Sequence, residues 1–203
     1  NNDVDFSALA KQTIIDKPKI ATRVASGKVL EIITKSIPSL IGGSADLSSS
    51  NITIHKESVG ITPTNFNGNY IHYGVREHAM GAIMNGLSCY DAGFITYGGT
   101  FLVFSDFVRP AIRLSALMER QVIYVFTHDN ISLGADGPTH QPIEHIESLR
   151  LIPNTLVLRP ADLIETIECY KIALENKKTP TIMVLGRGDV PTLRSSYSEN
   201  ENM

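Results

Sequence analysis

The stretch QVIYVFTH, residues 121–128, holds an unbroken apolar run from Val122 to Phe126. A strand with one wet face alternates polar and apolar positions, whereas a strand covered on both faces does not. This run does not alternate, so it reads as a central strand of a parallel sheet with helices above and below. Outward from it, helical and extended patterns take turns. YIHYG (70–74) and GFITYGG (93–99) read as strands, and LIGG (40–43) is a short apolar piece. Residues 21–37 place Ala25, Val29, Ile32 and Ile33 at helical spacing, and Pro38 closes that helix. Helices are also predicted over 77–90 and from the second strand to Met118, with Pro110 starting a new turn or kinking the segment. Beyond the central run come helix 142–151, strand 155–159, helix 161–176 and strand 181–186. The pattern predicts an α/β fold, a doubly wound and mainly parallel sheet with helices on both faces. Residues 1–19 are weakly patterned and read as a linker, 20–191 as the folded domain, and 192–203 (TLRSSYSENENM) as a polar tail or linker.

Composition narrows the class. Of 203 residues, 42% are hydrophobic and 19% charged, as in an ordinary globular domain. A net charge of −3 and the lack of a basic run exclude a nucleic-acid groove as the reading. No apolar run is long enough to cross a membrane, and the polar, acidic start NNDVDFSALAKQ resembles neither a signal nor a transit peptide. Cys89 and Cys169 lie in apolar helical stretches and read as buried free thiols. Together these features predict a cytoplasmic protein.

In doubly wound sheets, ligands sit beyond the carboxyl ends of the strands. That edge gathers GGSADLSSSN (42–51), GVREHA (74–79), GGTFLVFSDF (98–107), THDNISLGADGPTHQ (127–141) and Arg187. Glu77 opens a helix whose sequence is apolar on every side, which predicts a core or subunit-interface position. Its plain reading is an acid complementing the helix dipole. Burial of a carboxyl favours the protonated form and a helix N-terminus the ionised one, so two influences oppose there. Phe101, Phe104 and Phe107 share one side of a helical segment, either as core or as a flat pocket for a ring. His128, Asp129, Asp136 and His140 share one loop, but their spacing fits no familiar zinc pattern. Arg23, Arg187 and Ser48 to Ser50 are either solvated surface or an anion grip.

Taken together, IGGSADLSSSN, IHYGVREHAMGAIMNG, YGGTFLVFSDF, RLSALM, THDNISLGADGPTHQPIEH and LRPAD resemble the pyrimidine-binding middle domain of transketolase, over roughly residues 20–191. The resemblance implies the thiamine-diphosphate-binding fold and transfer of a two-carbon ketol unit from a ketose phosphate to an aldose phosphate through a carbanion at the cofactor's C2. It implies that Glu77 contacts the aminopyrimidine ring nitrogen and favours the imino tautomer. Phe101, Phe104 and Phe107 would line the pyrimidine pocket, with Asp46 near the cofactor. Asp136 and His128 would contact substrate hydroxyl or phosphate groups, and His140 would lie beside the reacting centre. Arg23, Ser50 and Arg187 would hold the sugar phosphate. A homodimer through the Glu77 helix is implied, as are sugar-phosphate substrates. Magnesium is implied too, held by a diphosphate-binding domain that this chain lacks; the chain thus reads as a middle fragment, inactive alone, without the C-terminal domain.

Three positions depart from the family pattern. Phe107 stands where many members have tyrosine, Ala135 where an acid is frequent, and GRGDVP (186–191) where a polar-Arg-Gln-Asn run is usual. Two other readings stay open: a non-catalytic binding or regulatory module of the same fold, and a dihydroxyacetone synthase or deoxyxylulose-phosphate synthase using the same cofactor.

Overall fold

The structure, a computed structural model, describes residues 4–90 and 92–197. Its centre is the expected apolar run, β5 (Val122–Thr127). Ile123 and Val125 face one hydrophobic cluster, and Val122, Tyr124 and Phe126 face another. The strand is therefore covered on both faces, as its unbroken hydrophobicity requires. Around it stand β2 (Leu40–Ser44), β3 (Tyr70–His72), β4 (Ile95–Phe101), β6 (Leu156–Leu158) and β7 (Thr181–Val184). The six strands run in the order β3-β2-β4-β5-β7-β6, and every pairing is parallel.

Helices α2 (Thr22–Ser36) and α7 (Leu163–Glu175) pack on each other and close one face. Helices α4 (Glu77–Cys89) and α5 (Ser105–Leu117) close the other, with the short α6 (His145–Arg150) beside them. A 3₁₀ turn at Leu102–Phe104 leads into α5, and Pro110 lies inside that helix at an exposed position. There the ring removes one backbone hydrogen bond on the wet side, which neighbouring turns tolerate. The segment between β2 and β3 begins with one helical turn, α3 (Ser48–Asn51).

Several expectations need correction. Residues 4–19 are not a free linker. They hold α1 (Ser7–Asp16), which packs against α7 and buries Val4, Phe6 and Ala10 in the first cluster. Its apolar stripe is too weak to stand out in sequence, since the helix is anchored from its N-terminal end. Next, β1 (Ile20–Ala21) pairs antiparallel with β8 (Asp189–Val190), clasping the two ends of the domain together. The stretch 192–197 is docked rather than loose. Asp162, N-cap of α7, accepts the Glu165 amide through Oδ1 (2.9 Å) and the Leu193 and Arg194 amides through Oδ2 (2.8 and 2.9 Å). Arg194 also pairs with Glu168 at 3.0 Å. Residues 1–3 and 198–203 of the proposed linker and tail lie outside the described residues. Cys169 is buried, but Cys89 at the end of α4 is exposed. Helix α4, expected in a core or a subunit interface, is covered on one side within this chain. Met80, Gly81 and Met84 face inward, while Ala82 and Ile83 face outward.

Candidate active site

Parallel pairing puts the carboxyl ends of β3, β2, β4, β5 and β7 along one edge, and each delivers a candidate residue. Glu77 follows β3 as the first residue of α4 and is buried. Asp46 follows β2, exposed and left-handed at φ 65°. Phe101 ends β4, His128 follows β5 at φ 60°, and Arg187 follows β7. Aspartate and histidine tolerate left-handed backbone better than most side chains.

The aromatic run forms a continuous row. Phe101 stacks on the His128 ring at 3.6 Å between centroids and on Phe104 at 6.0 Å. Phe107 continues the row at 6.2 Å from Phe104 and is 61% exposed. His140 stands edge-on to both Phe101 and Phe104, at 6.1 and 5.4 Å. A flat apolar surface with ring nitrogens at its rim thus forms where the sequence left core packing and a ring pocket as alternatives.

A cationic corner adjoins it. The Arg23 guanidinium donates to the Ser50 carbonyl at 2.6 Å, while its Nε is buried without a partner. Burial lowers its pKa, and the charge of Arg187 lowers it further. Ser50 therefore serves Arg23 through its main chain. Arg187 lies across Gly134, where an added Cβ would come 2.5 Å from Nη1; that glycine, at φ 104°, leaves room for the guanidinium. Burial, followed by the charges of Arg23 and Arg187, depresses the pKa of His128 to about 4, while Asp136 opposes the shift. The ring is neutral at physiological pH. Asp136 and His140 sit on the open loop, with Thr139 Oγ1 at 2.9 Å from His140 Nδ1. Asp129 turns away from this group to pair with Arg159 at 2.7 Å. The histidines and aspartates of the loop thus do not converge on one ligand point.

A polar layer that the sequence did not single out lies beneath. Asn51, fully buried, ties α3 to the sheet through Ser44 (2.9 Å) and Thr127 (2.7 Å), and Thr127 meets His128 Nδ1 at 2.8 Å. The sole hint was an SSSN segment beside a strand end, which reads equally well as surface.

The matching family model is that of the transketolase pyrimidine-binding domain, over residues 18–192. The chain belongs to the transketolase family. It is 56% identical over 184 residues to a transketolase of Sinorhizobium medicae, covering 91% of this chain and 26% of that protein. It is 50% identical to a chloroplastic transketolase of Craterostigma plantagineum, covering 91% and 36%. A Pichia stipitis transketolase solved with sedoheptulose 7-phosphate superposes with a TM-score of 0.86 at 49% identity, covering 88% and 27% of the two chains. A split-gene transketolase described as an inactive β4 tetramer gives 0.71 at 30% identity, covering 92% and 57%. The chain spans about a quarter of the length of the first of these relatives. The doubly wound sheet agrees with the transketolase fold. No helix among the described residues is long and apolar enough to cross a membrane.

Proposed function

We propose that this chain supplies the aminopyrimidine pocket and part of the sugar-phosphate site of a ketol-transferring enzyme that acts within a longer protein. The observation that carries the reading is the buried Glu77 at the head of α4 on the same sheet edge as the stacked row Phe101, Phe104 and Phe107. A flat heteroaromatic ring fits that pairing. Phe104, half-buried, and Phe107, exposed, offer stacking surface over the buried Phe101, and a carboxyl can share a proton with a ring nitrogen. Thiamine diphosphate, when bound, supplies the electron sink for making and breaking the carbon–carbon bond beside a ketose carbonyl.

The chain's own groups do the rest. Glu77 holds the proton at the aminopyrimidine ring nitrogen. Asp46 stands at the cofactor's side of the edge. Arg23 and Arg187 are like charges close enough to feel each other, and a phosphate bound between them relieves that repulsion through two-point contacts. Neutral His128, with Asp136, addresses the sugar near that phosphate, and His140 serves the reacting end. Magnesium and the diphosphate fall to residues outside this chain. The exposed apolar face of α4 and α5, including Ile83, Phe107, Leu114 and Leu117, is assigned to a second copy, because a large apolar surface beside a site favours an interface.

The test is a ketol-transfer assay on the complete protein containing this chain, with xylulose 5-phosphate and ribose 5-phosphate, with and without thiamine diphosphate and magnesium. Cofactor-dependent turnover that drops at least about a hundredfold in Glu77→Ala supports the reading. Turnover unchanged in that variant overturns the role of Glu77.

A further inference from the structure

The layer under His128 has a direction, and donor counting fixes it. Ser44 Oγ donates to the Gly99 carbonyl at 2.9 Å. A hydroxyl has one hydrogen, so the same oxygen receives the Asn51 Nδ2 hydrogen at 2.9 Å. That turns Asn51 Oδ1 toward Thr127, whose hydroxyl donates to it at 2.7 Å. With its hydrogen committed, Thr127 Oγ1 accepts at 2.8 Å from Nδ1–H of His128. Reversing the chain, with the Asn51 amide flipped and the Thr127 hydroxyl donating to Nδ1, gives up the Ser44–Gly99 bond and gains none. Every member is buried, where a lost hydrogen bond is not replaced by water. The Phe101 ring, stacked at 25° to the imidazole, fixes the ring plane.

We infer that Asn51 and Thr127 are positioning residues for His128: they set its tautomer with the proton on Nδ1, so that Nε2 offers the site a lone pair for a substrate O–H. The inference rests on the reading of His128 as a substrate contact. The ring is neutral, so tautomer rather than charge decides what it can bind. An Nε2 lone pair takes a hydrogen from a sugar hydroxyl or from a phosphate that retains a proton, and it repels a bare oxyanion, which goes to Arg23 and Arg187. Neither Thr127 nor Asn51 touches the substrate in this scheme; both act through the ring.

Two measurements on the complete protein test it. Neutron diffraction from substrate-free crystals is expected to place deuterium on Nδ1 of His128 and none on Nε2. Deuterium on Nε2 overturns the inference, whatever the protein's activity. In kinetics, Thr127→Val keeps the side chain's shape and removes its acceptor. It is expected to raise KM for the ketose phosphate about tenfold, with kcat within about twofold, the loss of roughly one buried hydrogen bond. Thr127→Ser is expected to restore KM. A valine variant with wild-type KM overturns the inference, as does a serine variant no better than the valine one. Absence of ketol transfer in the wild-type protein would defeat the proposed function, while the neutron result would still decide the tautomer.

Discussion

The imidazole of His128 lies 3.6 Å from the Phe101 ring, centroid to centroid, one strand over on the same sheet edge. The contact joins the aromatic row to the cationic corner. Removing either ring alters both.

Phe101→Ala is therefore expected to lower stability by about 3 kcal/mol, as for a buried phenyl ring cut to a methyl, and to weaken cofactor binding in the complete protein. Urea denaturation and a thiamine diphosphate titration check the two effects. Phe101→Leu keeps most of the volume and loses the flat face. It should fall much less in stability than in cofactor affinity.

His128 gives a pH signature. Its folded pKa, about 4, lies below its ordinary value of 6.5, because burial and the two arginines disfavour the charged ring. Between those pH values the unfolded chain binds a proton that the folded one does not. Stability from this group is thus present above pH 6.5 and is lost as pH falls toward 4. His128→Gln should flatten that part of the curve in denaturant melts across the range. A variant with the same acid slope as the wild type would contradict the assignment.

Gly81 couples the core to Glu77, one helical turn away. A Cβ there would meet Val108 Cγ2 at 2.6 Å and Ala111 Cβ at 2.7 Å, so α4 and α5 approach closely because this residue has no side chain. Gly81→Ala should force the helices apart at a cost of about 1–3 kcal/mol. It should also lower ketol transfer, since the head of α4 moves with it. Thermal melts and steady-state rates test both.

Asp162 holds the docked segment after β8. Its carboxylate accepts three amide hydrogens and is 1% exposed. Asp162→Ala leaves those donors without it and should cost about 3 kcal/mol in denaturant unfolding. It should also make the peptide bonds near Leu193 sensitive to limited proteolysis.

The apolar run of β5 and the strand–helix alternation made the sheet legible, because burial on both faces leaves a mark that no surface segment shares. The carboxyl-edge loops followed from the topology. The β1–β8 clasp was not legible, since each strand has two residues, too short to show a period. Helix α1 escaped because its burial is set by α7, far along the chain. The layer of Ser44, Asn51 and Thr127 escaped for a different reason. Serine, asparagine and threonine have the same composition on a wet loop as in a dry network, and only the fold tells which it is. The apolar sequence of α4 matches its packing against α5 on one side, while its outward half shows Ile83 to solvent within this chain.

In the proposed function, Glu77 activates the bound cofactor through its carboxyl. Hydrogen–deuterium exchange at C2 of thiamine diphosphate, in the loaded complete protein, tests this without any substrate. Glu77→Gln retains size and hydrogen bonding but cannot share the proton in the same way. Exchange slowed by about a hundredfold or more, with cofactor still bound, is the predicted result. Exchange at the wild-type rate in the cofactor-loaded variant would contradict the account.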